Sequence, residues 1–93
     1  MIEAQVRDNR ELSRFELQVE GHTAFAEYEL ADGVITFTHT ESPPAVAGRG
    51  VATALVRSAL EQVRARGLKV VPRCSFVSAF FMRHPECQDL LLQ

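Results

Sequence analysis

The chain has 93 residues, 46% of them hydrophobic, enough for one compact domain over residues 1–93 and too few for two. A formal net charge of −2, with Lys and Arg scattered singly, provides no basic stripe for a phosphate backbone, so nucleic acid is not an expected partner. MIEAQVRDNR has no basic region leading into an apolar one, and the longest uncharged apolar run, CSFVSAFFM, is too short for a membrane span; a cytoplasmic chain without a membrane partner is expected.

In RFELQVE, Phe15, Leu17 and Val19 alternate with Glu16, Gln18 and Glu20, the period-two pattern of a strand with one wet face. Gly21 permits a turn. TAFAEYEL puts Ala24, Ala26, Tyr28 and Leu30 on one face, and Asp32-Gly33 offers a second hairpin turn. VITFTH is apolar on both faces, as expected of a strand with neighbours on each side. The period then changes: Val51, Leu55, Val56, Ala59, Leu60 and Val63 mark one face of an amphipathic helix that Gly67 stops. LKVVP is a short β-branched run that returns beside the preceding strand, giving a right-handed βαβ crossover. SFVSAFFMRH packs apolar residues at helical density up to Pro85, and ECQDLLLQ forms a last turn or helix. The fold class is α/β (α+β), with a mixed, mostly antiparallel sheet. Cys74 and Cys87 are too far apart for a CxxC motif and too few for a disulfide framework, so reduced thiols are expected.

PPAVAGRGVATALV raises a separate question. A helix opens with four backbone N–H groups lacking internal partners, and a Ser, Thr, Asp or Asn usually satisfies one of them. Between Pro44 and Thr53 there is no capping side chain and no acid. Gly48 and Gly50 instead bare the backbone, an arrangement that suits an external anion on the helix dipole. The alternative is a tight strand-to-helix turn, and the spacing alone leaves both open. The stretch lacks the GK[ST] ending of a nucleotide-triphosphate loop, and the hairpin-linked strands before it are unlike a dinucleotide-binding fold.

These motifs together resemble a family. HTESPPAVAGRGVATALVRSAL with GLKVVPRCSFVSAFFMRHPE carries HTE, PP, GxG, VVPxC and RHPE in the order found in the small, single-domain branch of the GNAT superfamily of N-acetyltransferases. The resemblance implies a GNAT-like acyl-CoA N-acyltransferase fold, acetyl-CoA as acyl donor and a primary amine as acceptor. It puts the CoA pyrophosphate on Val46, Ala47, Gly48, Arg49, Gly50, Val51 and Ala52. It also implies that the strand carrying His39 and Thr40 splays from its parallel neighbour and offers unpaired backbone to the pantetheine arm. The chain departs from the family pattern in having Ala45 where a Gln or Arg stands. It also has Phe80 where the family usually places Tyr, the usual general acid.

Acetyl transfer needs a neutral amine and a stabilised or protonated CoA thiolate. Cys74, a proposed catalytic position in the family, is the candidate to protonate that thiolate or to accept the acetyl group; its other reading is a small buried hydrophobe. His39 ends the central strand beside Cys74 if the two strands pair in parallel, and is a candidate proton acceptor or activator of the thiol. The alternative for His39 is a strand-end histidine bonded to backbone. Glu41 is the competing base, or a solvated surface acid. His84-Pro85-Glu86 reads first as a helix terminator, and Arg83 as a solvated arginine with the adenosine 3′-phosphate as its other reading. Cys74, Cys87, His39 and His84 lack paired short spacings, so no metal site is expected. Two further readings stand beside the enzyme: an acyl-CoA-binding module with little turnover, and a protein-interaction domain using an open sheet edge or the terminal LLL. The acceptor amine and the oligomeric state are left open.

Overall fold

A computed structural model describes residues 5–93. The alternating segments form β2 (Arg14–Val19) and β3 (His22–Ala31), paired antiparallel from Arg14↔Glu27 to Val19↔His22. Glu20 and Gly21 join them with φ of 51° and 80°, the left-handed pair whose twist matches a two-residue hairpin. Asp32 and Gly33 repeat that geometry and lead into β4 (Val34–Glu41). A short strand, β1 (Arg7–Asn9), precedes them and pairs antiparallel with β2; its sequence, RDN, carries no hydrophobic alternation and gave no strand signal.

What fixes β1 is polar. Glu16, expected on the wet face of β2, is buried because its carboxylate accepts hydrogen bonds from Arg14 (2.7 Å), Asn9 (3.2 Å) and Arg7 (3.4 Å). Arg14, above all, holds the Glu16 carboxyl below its ordinary value against the opposing effect of burial, with Asn9 and Arg7 adding to it. The Tyr28 hydroxyl donates to Asp8 at 2.6 Å, and Arg10 and Arg66 bind the same carboxylate. Burial and the Asp8 carboxylate together push the Tyr28 phenol up to about 12.

After the glycine-rich turn, α1 (Val51–Ala65) buries the six residues read from the periodicity, Val51, Leu55, Val56, Ala59, Leu60 and Val63. β5 (Lys69–Pro72) then lies parallel to β4, from Val34↔Lys69 to Phe37↔Pro72. The five strands are ordered β1-β2-β3-β4-β5, so the sheet is mixed and mostly antiparallel, as expected. α2 (Ser75–Arg83) follows. His84 leaves helical geometry with φ −130° and ψ 75° ahead of Pro85, and a 3₁₀ turn over Pro85–Leu90 brings Leu91 to bridge Val70.

One core joins the layers. Phe15, Leu17, Ala26, Ile35, Phe37 and Val70 on the sheet share it with the buried residues of both helices. Phe15 sits at its aromatic centre, with ring centroids 5.4 Å from Tyr28 and 6.1 Å from Phe37. The opposite sheet face is open: Phe25, Glu27, Thr36 and Lys69 are half-buried or exposed. Leu30, expected on the apolar face, is exposed, because it lies beyond Glu27, where the pairing of β3 with β2 ends. Among the described residues no helix is long and apolar enough to cross a membrane.

Candidate functional site

The start of α1 is built by two successive turns. Pro44–Val46 form a 3₁₀ turn in which the Val46 N–H donates to Pro43 (3.0 Å) and the Ala47 N–H to Pro44 (3.3 Å). Gly48 and Gly50 then take φ of 81° and 75°, a conformation that costs an L residue roughly 1–2 kcal/mol. The first helical bond runs from Ala54 to Gly50 (3.0 Å), so the N–H groups of Val51, Ala52 and Thr53 have no carbonyl of a preceding turn to reach. No side chain caps this end and no acid lies in the first turn. Together with the amides of Gly48, Arg49 and Gly50, which donate no backbone hydrogen bond among the described residues, those of Val51, Ala52 and Thr53 make a run of free donors that begins at Gly48. The Val46 and Ala47 amides, included in the sequence reading of the loop, are consumed by the 3₁₀ turn, and the Val46 side chain is in the core.

A cavity of about 210 Å³ opens against these donors, bounded by Ser42, Ala47, Gly48, Gly50, Ala52 and Phe76. The Ser42 hydroxyl is buried there and has no hydrogen-bond partner. Thr53 and Phe76 connect it to a second cavity of about 220 Å³ that reaches Phe80, Arg83 and His84. Arg49, expected to help hold phosphate, does not border this groove; its guanidinium is ion-paired with Glu20 on the β2–β3 turn.

The second half of the site depends on an irregularity in β4. Tyr28 pairs with Phe37 but Glu27 pairs with His39, so Thr38 is an extra residue, a β-bulge. Without it, simple alternation would carry Phe37 and His39 to the same face. With it, Thr40 pairs with the fully buried Ala26 and turns to the helix side, while His39 faces the open side with Phe25 and Glu41. The expected contact of His39 with Cys74 is thereby replaced: the Cys74 Sγ lies 3.3 Å from the Thr40 hydroxyl. His39 Nε2 is 3.2 Å from Glu41 Oε1, and both side chains are exposed.

Cys74 is the residue before α2 and is buried. Burial pushes its thiol up, but the Thr40 hydroxyl and the backbone N–H groups of Val77 and Phe76 favour the thiolate, and the net shift is below the ordinary 9.0. Burial and the neighbouring Glu86 push the Cys87 thiol the other way, above that value. The ladder between β4 and β5 ends at Phe37↔Pro72, extended once by the Cys74 N–H to the Phe37 carbonyl (2.9 Å). β4 itself continues to Glu41, so Thr38–Glu41 have no β5 partner along that edge.

Phe80 is buried and stacks on the His84 imidazole at 4.1 Å, with the Arg57 guanidinium 5.6 Å from its ring. His84 Nδ1 lies 3.3 Å from Glu86 Oε2. Among the described residues no three His, Cys, Asp or Glu side chains converge to hold a metal ion. Ser42, Thr53, Phe76 and Glu20 were not legible as site residues, since a lone serine, threonine, phenylalanine or glutamate carries no spacing signal.

Residues 14–90 match the family model described as GCN5-related N-acetyl-transferase. The chain belongs to the GCN5-related N-acetyltransferase family. The solution structure of a GCN5-like protein from Staphylococcus aureus has the same fold as this family member, with a TM-score of 0.73 at 24% sequence identity. That match covers 99% of this chain and 91% of the other. The mixed, mostly antiparallel five-stranded sheet and its helices thus match the fold of that neighbour.

Proposed function

We propose that this GCN5-related protein transfers an acetyl group from acetyl-CoA to a primary amine. The observation that carries the reading is the uncapped start of α1, behind two left-handed glycines and next to the unpaired edge of β4. Acetyl-CoA would supply a thioester-activated acetyl group, with the CoA thiolate as the leaving group. The residues present fit it: the N–H groups of Val51, Ala52 and Thr53 and the unpartnered Ser42 hydroxyl are donors for a pyrophosphate at the positive end of a helix. The free edge of β4 offers backbone groups to an amide-bearing arm.

The bulge divides the chemistry between two faces. On the helix side Cys74, poised by Thr40, holds the proton destined for the departing sulfur. On the open side His39, oriented by Glu41, takes the proton of the incoming amine. Gly48 and Gly50 keep the cradle open; Arg49 acts only through the loop. A second reading, an acyl-CoA-binding module with little turnover, is favoured by Phe80, which has no proton to give where the family usually has Tyr, and by Ala45.

Calorimetric titration with acetyl-CoA, against dephospho-CoA and a simple adenine nucleotide, tests the assignment. Gly48→Asp and Gly50→Asp each place a charged side chain at the cradle and are expected to weaken acetyl-CoA by about tenfold or more. Unchanged affinity in both folded variants would dispose of the loop assignment. A screen of amines with the wild-type protein then separates the readings: acetylated product supports transfer, and tight binding without product from any amine supports the module.

A further inference from the structure

We propose that Glu20 is a positioning residue for the glycine loop. Its carboxylate straps Arg49 to the β2–β3 turn and so keeps the first amides of α1 in the shape that receives an anion. The ligand part of this inference rests on the acetyl-CoA reading above; the strap itself does not.

Three observations on this chain converge. First, the loop is weakly held by its own backbone: among the described residues the amides of Gly48, Arg49 and Gly50 donate no backbone hydrogen bond, and no side chain caps the helix. Two glycines in left-handed geometry within three residues have more conformational freedom to lose than any other pairing. Second, the tie is made by Arg49, which stands between those glycines. Its guanidinium reaches Glu20, 29 residues earlier, and Arg49 does not line the cavity that Gly48 and Gly50 border. Third, Glu20 is at φ 51° in a two-residue hairpin, where Asn, Asp or Gly fits best. The turn alone would prefer another residue, and what Glu adds is a carboxylate long enough to meet Arg49. The strap therefore connects the sheet's hairpin tip to the helix start, two parts of the fold that the backbone does not join there.

Glu20→Asn separates the turn from the strap, because Asn suits the left-handed position and cannot hold Arg49 in the same way. The expected result is a melting temperature equal to or above wild type, with faster hydrogen exchange in the ligand-free protein at the amide of Ala54, whose bond to the Gly50 carbonyl closes the loop onto the helix. Acetyl-CoA affinity is expected to fall by about threefold, the scale of an exposed ion pair. A simple structural defect would lower the melting temperature as well. The charge exchange, Glu20→Arg with Arg49→Glu, is expected to return Ala54 exchange toward wild type. Unchanged Ala54 exchange in Glu20→Asn would overturn the strap. Tighter acetyl-CoA binding by that variant would overturn it too, showing that Glu20 competes with the ligand for Arg49. If the wild-type protein takes no acetyl-CoA, the coenzyme reading fails, and the strap is still decided by the exchange data.

Discussion

Cys74 and Cys87 are the same side chain in two different fields. Cys74 faces the Thr40 hydroxyl and the first amides of α2, which lower its pKa; Cys87 is desolvated beside Glu86, which raises it. The thiols should therefore ionise in two steps, Cys74 below 9.0 and Cys87 above it, visible in thiolate ultraviolet absorbance. Cys74→Ala should remove the lower step, and Thr40→Val should move it upward. One merged transition would show that the amides and the hydroxyl do not act on Cys74. At this scale the sequence was a partial guide. That Cys74 follows closely on the return strand was legible, but its place before α2 and its partner were not, and Glu16 was read as solvated because alternation says nothing of three donors gathered from β1 and β2.

Among the elements, α1 was the most transparent, because its six buried positions are spaced by the helix period and little else competes. The bulge in β4 was invisible: VITFTH reads as a strand apolar on both faces, with nothing to mark an extra residue, and only the pairing with β3 reveals Thr38 as one. This has a counterintuitive consequence. Removing one residue from a strand usually flips everything beyond it to the other face. Deleting Thr38 should instead leave Thr40 beside Cys74 and His39 on the open face, since Tyr28↔Phe37 and Glu27↔His39 would become consecutive pairs. The Cys74 titration step should persist in the deletion variant. Its return to the range of a free thiol would mean that the extra residue is elsewhere.

For the whole molecule, hairpin turns of two residues made the strand order readable, while β1 escaped because it is three polar residues long. A core of this size leaves little reserve. Phe15 is fully buried between Tyr28 and Phe37, so Phe15→Ala should cost about 3–5 kcal/mol. A natural domain holds roughly 5–15 kcal/mol in total. The variant's urea midpoint should therefore fall to a fraction of the wild-type value, and a loss under about 1 kcal/mol would show that the aromatic cluster collapses to fill the gap.

The sheet order β1-β2-β3-β4-β5 is also the order of synthesis. Three hairpin contacts between neighbouring strands form early and fast, because each closes a short loop. The ribosome thus releases a four-stranded meander whose apolar side, with Phe15, Ile35 and Phe37, has no cover until Val51–Val63 have followed. The nascent chain is most adhesive in that interval, and a polypeptide stopped just before α1 would be the form most prone to aggregate.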